Sequence, residues 1–146
     1  MWHWLLSTSN DPILLITRLV LGGIIWVHGA QKLLGWFGGY GFTGTMQYFT
    51  KSLGIPAPLG LLAIATEFFG GPLLVLGLGG RLMAVGVAAV MSVAALLVHA
   101  PNGFFMNWSG GQKGEGFEYH FLAIALAAAI IVHGSGALSI DRLLVH

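Results

Sequence analysis

The chain has 146 residues, of which 56% are apolar and only 8% are charged, and its mean hydropathy is +0.85. An average soluble domain carries about 25% charged residues, so this composition can neither coat a water-exposed surface nor sustain disorder, and an integral membrane protein remains. A formal net charge of +1 gives no basic footprint for nucleic acid, and the absence of cysteine excludes disulfides, thiol relays and Cys-ligated zinc or iron–sulfur clusters.

A membrane-spanning helix needs roughly 20 apolar residues. Residues 13–34 form the first such stretch. It is too long for a signal-peptide core and lacks a basic leader or a small-residue cleavage site, so it is expected to be retained. Residues 35–57 are rich in Gly and aromatics. They predict a long loop with a short surface helix near 43–52, and Trp36, Phe37 and Tyr40 suit the membrane–water boundary. A second span covers 58–78, the tight turn Gly79-Gly80-Arg81 follows, and a third span covers 82–100. A second long loop, 101–116, holds five glycines and Trp108, and a fourth span is expected over 117–138.

The predicted fold is therefore an all-α integral membrane protein. It is an antiparallel bundle of four transmembrane helices, forming a single membrane domain over residues 1–146. Four spans place both termini and the short turn on one side and both long loops on the other. Arg18, Arg81 and Arg142 sit tight against span ends on the terminus side, while Lys32, Lys51 and Lys113 lie on the loop side. The arginines favour termini in the cytoplasm.

Ionisable residues inside spans are costly and point to function. His28 and Lys32 occupy the last two turns of the first span and share a face at i,i+4 spacing, with Gln31 beside them. Glu67 lies nine residues into the second span, about 14 Å deep at 1.5 Å per residue. His99 ends the third span, and Glu118 and His120 open the fourth. His28, Gln31, Lys32, Glu67, His99 and Glu118 thus share the loop-side half. His120 points away from Glu118 and is expected outside the cluster. Arg18, His133 and Asp141 belong to the opposite half. Structural roles are also available: Glu67 can pair with Lys32 or Arg18, and Lys32 can snorkel to the interface. Ala63, Glu67 and Gly71 form a row along which a neighbouring backbone can approach closely.

Two His and two carboxylates can hold a divalent metal, but the Glu-x-x-His spacing of di-iron bundles is absent. His28 and His99 could ligate a haem. A small redox-active organic ligand fits better, because quinone carbonyls need the hydrogen-bond donors and proton carriers that His, Gln, Lys and Glu supply. Phe104, Phe105, Trp36 and Phe37 would clasp its ring at the mouth. A transporter reading lacks an inverted repeat.

Several blocks carry a family pattern. They are Arg18-Leu-Val-Leu-Gly22, His28-Gly29-x-Gln31-Lys32-Leu-x-Gly35, Gly35-Trp36-Phe37-Gly38-Gly39-Tyr40-Gly41 with Gly44-Thr45, and Gly54-Ile55-Pro56. Glu67-x-x-Gly70-Gly71, His99, Gly103-Phe104-Phe105, Gly116-Phe117-Glu118-Tyr119 and Ser139-Ile140-Asp141-Arg142 complete it. Together they resemble the DoxX family of small bacterial and archaeal inner-membrane proteins. The resemblance implies a four-helix membrane bundle tied to membrane redox chemistry, since founding members resemble membrane subunits of a thiosulfate:quinone oxidoreductase.

The expected function is a quinone-linked oxidoreductase component of the inner membrane. His28, Glu67, His99 and Glu118 are the catalytic candidates: the carboxylates move protons, and the histidines donate to carbonyl oxygens. Arg18, Gln31, Lys32, Phe104 and Phe105 are expected to bind the ligand. A non-catalytic scaffold subunit and a metal or haem protein are the alternatives. Redox partner subunits and self-association through Gly- and Ala-rich faces are further expectations.

Overall fold

The computed structural model describes residues 2–145. They form helices α1 (Trp2–Leu6), α2 (Pro12–Leu34), α3 (Gly41–Gln47), α4 (Ala57–Leu76), α5 (Gly80–Ala94), α6 (Glu118–His133) and α7 (Ile140–Val145), with no strand among the described residues. α3 runs on as a π-helical turn, Tyr48–Ser52, which together form the expected surface helix. α5 runs on through a π-helical turn, Ala95–His99, and a 3-10 turn, Ala100–Asn102.

Three helices are long and apolar enough to cross a membrane: Pro12–Leu34, Ala57–Leu76 and Gly80–Asn102. α2 begins where its sequence dictates. Asp11 accepts from the Ile13 amide at 2.8 Å, Pro12 supplies a preset first turn, and Gly35 closes the helix at φ 74°.

The expected fourth span is shorter than 117–138. α6 has 16 residues, about 24 Å at 1.5 Å per residue, and it ends at His133. Gly134 stops it by taking φ 86°, a conformation open to glycine but strained for other residues. Residues 134–139 then run as irregular backbone, buried at 134–136 and 139 and exposed at Leu138. Such backbone survives away from water only if its polar groups are satisfied internally. Here Arg18 does this, and Arg81 serves the last carbonyls of α6. Arg81 Nη1 donates to Ile131 O (2.7 Å) and Val132 O (3.0 Å), and Arg18 donates to Ser135 O (2.9 Å), Ala137 O (3.0 Å) and Leu138 O (2.7 Å).

The core is a layer of small and branched residues: Leu21 and Ile25 from α2, Leu74 from α4, Ala84, Val87 and Met91 from α5, and Ala123, Ala127 and Ile130 from α6. The outer faces are just as apolar. Ile13, Ile16, Leu62, Leu82, Phe121 and Val132 are all at least half exposed, as a lipid-facing surface requires.

α2 and α4 pack with their backbones nearly touching. A Cβ on Gly29 would collide with the Glu67 and Phe68 backbone, and one on Gly22 would lie 2.6 Å from Gly71 O. This contact fixes the depth of Glu67 against His28 and Lys32. Gly29→Ala should therefore cost about 1–3 kcal/mol. Gly23→Ala, which meets no atom within 4 Å, should be neutral or stabilising. Thermal unfolding of the two variants in detergent checks the contrast.

Candidate functional site

One cavity of about 1260 Å³ has its polar lining in the loop-side half and reaches along α5 as far as Leu82. The end of α2 contributes His28, Gln31 and Lys32, the middle of α4 contributes Thr66 and Glu67, and the π turn after α5 contributes His99. The start of α6 adds Tyr119 and His120, and the surface helix adds Thr45, Tyr48 and Phe49.

Lys32 Nζ lies 2.6 Å from Glu67 Oε2, so the i,i+4 neighbour of His28 is the carboxylate's counter-charge. The pair is unequal. The Glu67 side chain is 2% exposed and that of Lys32 is 26% exposed. Lys32 is therefore the partner of the buried Glu67 Oε2. Two buried polar atoms of cavity residues lack partners, Tyr119 Oη and His120 Nδ1. Buried polar groups are nearly always satisfied in folded proteins, so these two, on residues that line the cavity, stand out.

The rings form a connected set. His99 and His120 stack with centroids 4.1 Å apart, Tyr119 and His120 meet edge-on at 5.4 Å, and His28 lies 5.9 Å from Tyr119. His99 Nδ1 is 2.9 Å from Glu115 O. A carbonyl only accepts, so Nδ1 carries the proton, and the neutral ring keeps Nε2 as an acceptor. The sequence-based expectation of His99 as a donor changes accordingly. In its neutral form this histidine offers a lone pair.

Of the residues picked out by sequence, His28, Gln31, Lys32, Glu67 and His99 line the cavity, and Arg18, Phe104, Phe105 and Glu118 do not. Arg18 is buried at the opposite end, where its donors are held by carbonyls of residues 74–75 and 135–138. Phe104 and Phe105 are 47% and 68% exposed. The 103–117 loop closes on itself through Gly116 N→Phe105 O (3.1 Å), Phe117 N→Gly103 O (3.2 Å) and Glu118 N→Phe104 O (2.9 Å). This closure leaves Phe104 edge-to-face with both Phe105 and Phe117. Tyr40, Tyr48 and Phe49 take the place expected for Trp36 and Phe37 on the cavity wall. Gln31 donates to Phe37 O at 3.2 Å, so its amide nitrogen braces the 3-10 turn Trp36–Gly38.

His120 is the residue that sequence reasoning placed outside. It is only 6% exposed and stacks on His99. Glu118 and His120 do diverge, as their spacing requires, but the helix turns His120 inward. A signal was present. His120, Ala123, Ala127 and Ile130 form the buried stripe of α6, and a histidine on a small-residue stripe faces the packed side.

Among the described residues, no three His, Cys, Asp or Glu side chains are arranged to hold a metal ion. The cavity has its donors and acceptors at one end and apolar walls elsewhere.

These features define a small helical membrane protein with a largely apolar cavity that carries a few polar groups at one end. The DoxX family model matches residues 13–100. The chain is 33% identical over 135 residues to "Inner membrane protein YqjF" of Escherichia coli (strain K12), covering 92% of this chain and 94% of the relative. It is 28% identical over 127 residues to "Putative oxidoreductase CatD" of Bacillus subtilis (strain 168), covering 87% and 83% respectively. The chain belongs to the DoxX family. No solved structure matches it.

Proposed function

We propose that this chain is a four-span bundle of the bacterial inner membrane that binds a quinone in the loop-side cavity, as a component of a membrane oxidoreductase. In this reading α6, with the irregular 134–139 segment beneath it, completes an antiparallel bundle as the fourth span. The Arg18, Arg81 and Arg142 end faces the cytoplasm. The observation that supports the reading is the pair of unpartnered buried atoms on residues of one cavity, Tyr119 Oη and His120 Nδ1, beside the Lys32–Glu67 ion pair. The oxidoreductase name of the Bacillus relative agrees with it.

A quinone supplies paired electron and proton transfer when bound. The chain's own residues bind and orient it and handle the protons. Tyr119 Oη and, in the tautomer protonated there, His120 Nδ1 donate hydrogen bonds to ring oxygens. His99 Nε2 accepts a proton from a ring hydroxyl, while Glu115 O holds the ring through Nδ1–H. Glu67 takes up or returns a proton, and Lys32 offsets the charge it carries.

A water-soluble quinone analogue should bind the protein in lipid nanodiscs, measured by calorimetry. Tyr119→Phe and His120→Ala should each weaken binding about tenfold, the scale of one hydrogen bond. Unchanged affinity in both variants would overturn the site. A stoichiometric partner in the purified sample, with no analogue binding, would make the chain a scaffold subunit.

A further inference from the structure

The cavity does not end at its polar residues. It continues as a cleft between α4 and the helix Gly80–Asn102, with Leu59, Leu62 and Ala63 on one wall and Ala89, Val93 and Leu97 on the other. The two helices touch near the 77–80 turn, where Gly86 faces Thr66 and Gly70 faces Met83. Further along, the outer lips stand open. Leu59, Leu62, Val93 and Leu97 are 46–61% exposed. All of these wall residues lie within helices long and apolar enough to cross a membrane, so the opening faces hydrocarbon.

We propose that this cleft is a side entrance from the bilayer, and that it holds the alkyl or isoprenoid tail of the ligand whose ring occupies the polar end. The inference rests on the quinone reading and narrows it to tail-bearing, membrane-dissolved molecules. Continuity is the argument for that occupant. The cleft runs into the part of the cavity lined by Tyr119 and His120, whose buried Oη and Nδ1 lack hydrogen-bond partners, His120 being only 6% exposed. A lipid acyl chain or a neighbouring helix could cover the cleft, but neither would satisfy those atoms. Entry from the water side would drag an apolar tail through the aqueous phase, whereas the side entrance keeps it in hydrocarbon throughout. Lipid is as apolar as the cleft, so the tail gains little net affinity there. What the cleft provides is room.

The test compares two probes in nanodiscs, a dimethoxy-methyl-benzoquinone ring without a tail and the same ring bearing a decyl tail, with affinities referred to concentration in the membrane. Ala89 is an exposed wall residue, so Ala89→Trp should fill the cleft without disturbing the core. It should weaken the tailed probe at least about tenfold and leave the tail-less probe within about twofold. Ile16→Trp, on a lipid-facing surface that does not line the cavity, should change neither. A photoreactive group at the tail end should label Leu59, Leu62, Val93 or Leu97. If the wild type binds the ring but Ala89→Trp leaves both probes unchanged or weakens both equally, the entrance is overturned and the quinone site stands. Labelling confined to other residues overturns it in the same way. If neither probe binds the wild type, both readings fall.

Discussion

Arg18→Met should unfold the protein or cost about 3–5 kcal/mol of stability, the scale of losing a buried charged group on which other buried groups depend. Arg18 is 2% exposed. Its guanidinium donates to Leu74 O and Val75 O at the end of α4, and to Ser135 O, Ala137 O and Leu138 O in the irregular segment after α6. No helix supplies donors to the last three carbonyls. Each buried acceptor left without a partner costs about 1–3 kcal/mol, so methionine, which fills the space but donates nothing, isolates that loss. Arg18→Lys should recover only part of the stability, because an ammonium has three donors and lacks the planar fork that spans two elements. Thermal unfolding in detergent, followed by tryptophan fluorescence, gives the ranking. Analogue binding by whatever fraction of Arg18→Lys remains folded should match the wild type, since Arg18 does not line the cavity.

The second large effect lies in the Lys32–Glu67 pair. Lys32→Met leaves a carboxylate in a side chain 2% exposed without its counter-charge, and breaking a buried pair from one side costs about 3–5 kcal/mol. Glu67→Gln should cost about 1 kcal/mol or less, because Lys32 is partly exposed and its long stem lets the ammonium reach the headgroup region. The double variant Lys32→Met with Glu67→Gln should return to near wild-type stability, since uncharged groups of similar size restore a neutral interior. It should nevertheless bind the quinone analogue at least about tenfold more weakly. Stability and binding measured on the same three proteins separate the two roles. A stable double variant with full binding would make the pair structural only.

Much of this was legible in the sequence. The first helix was, because Asp11-Pro12 and Gly35 mark its ends. The shared face of His28 and Lys32 was, because i,i+4 geometry is local, and so was the depth of Glu67. The close approach of α2 and α4 was anticipated from the small residues around Glu67. The length of α6 was not. Every residue through 133 is compatible with a continuing span, and only the backbone turn at Gly134 shows the end. The role of Arg18 was not either, because its acceptors lie 117–120 residues away in sequence. For His120 the spacing was read correctly but the wrong member of the divergent pair was turned inward. A carboxylate looked the better candidate for chemistry, whereas Glu118, the first residue of its helix, stays half-exposed. Phe104 and Phe105 were misplaced because loop closure, set by backbone hydrogen bonds across 103–118, has no periodic signature.

The turn between α4 and α5 has a consequence for the order in which the molecule is made. The amides of Gly79 and Gly80 are capped by Asp141 Oδ1 (2.7 Å) and Oδ2 (3.0 Å), and Ser135 Oγ donates to Asp141 Oδ2 at 2.6 Å. The capping residue lies 62 positions after Gly79, so a ribosome delivers the hairpin to the membrane well before its cap exists. Arg18 waits longer still for the carbonyls of 135–138. Insertion and locking are thus separate events. The apolar helices can enter the bilayer one after another on their own hydropathy, while the final arrangement, with the cavity walls in place, closes only when the segment around residues 135–141 arrives.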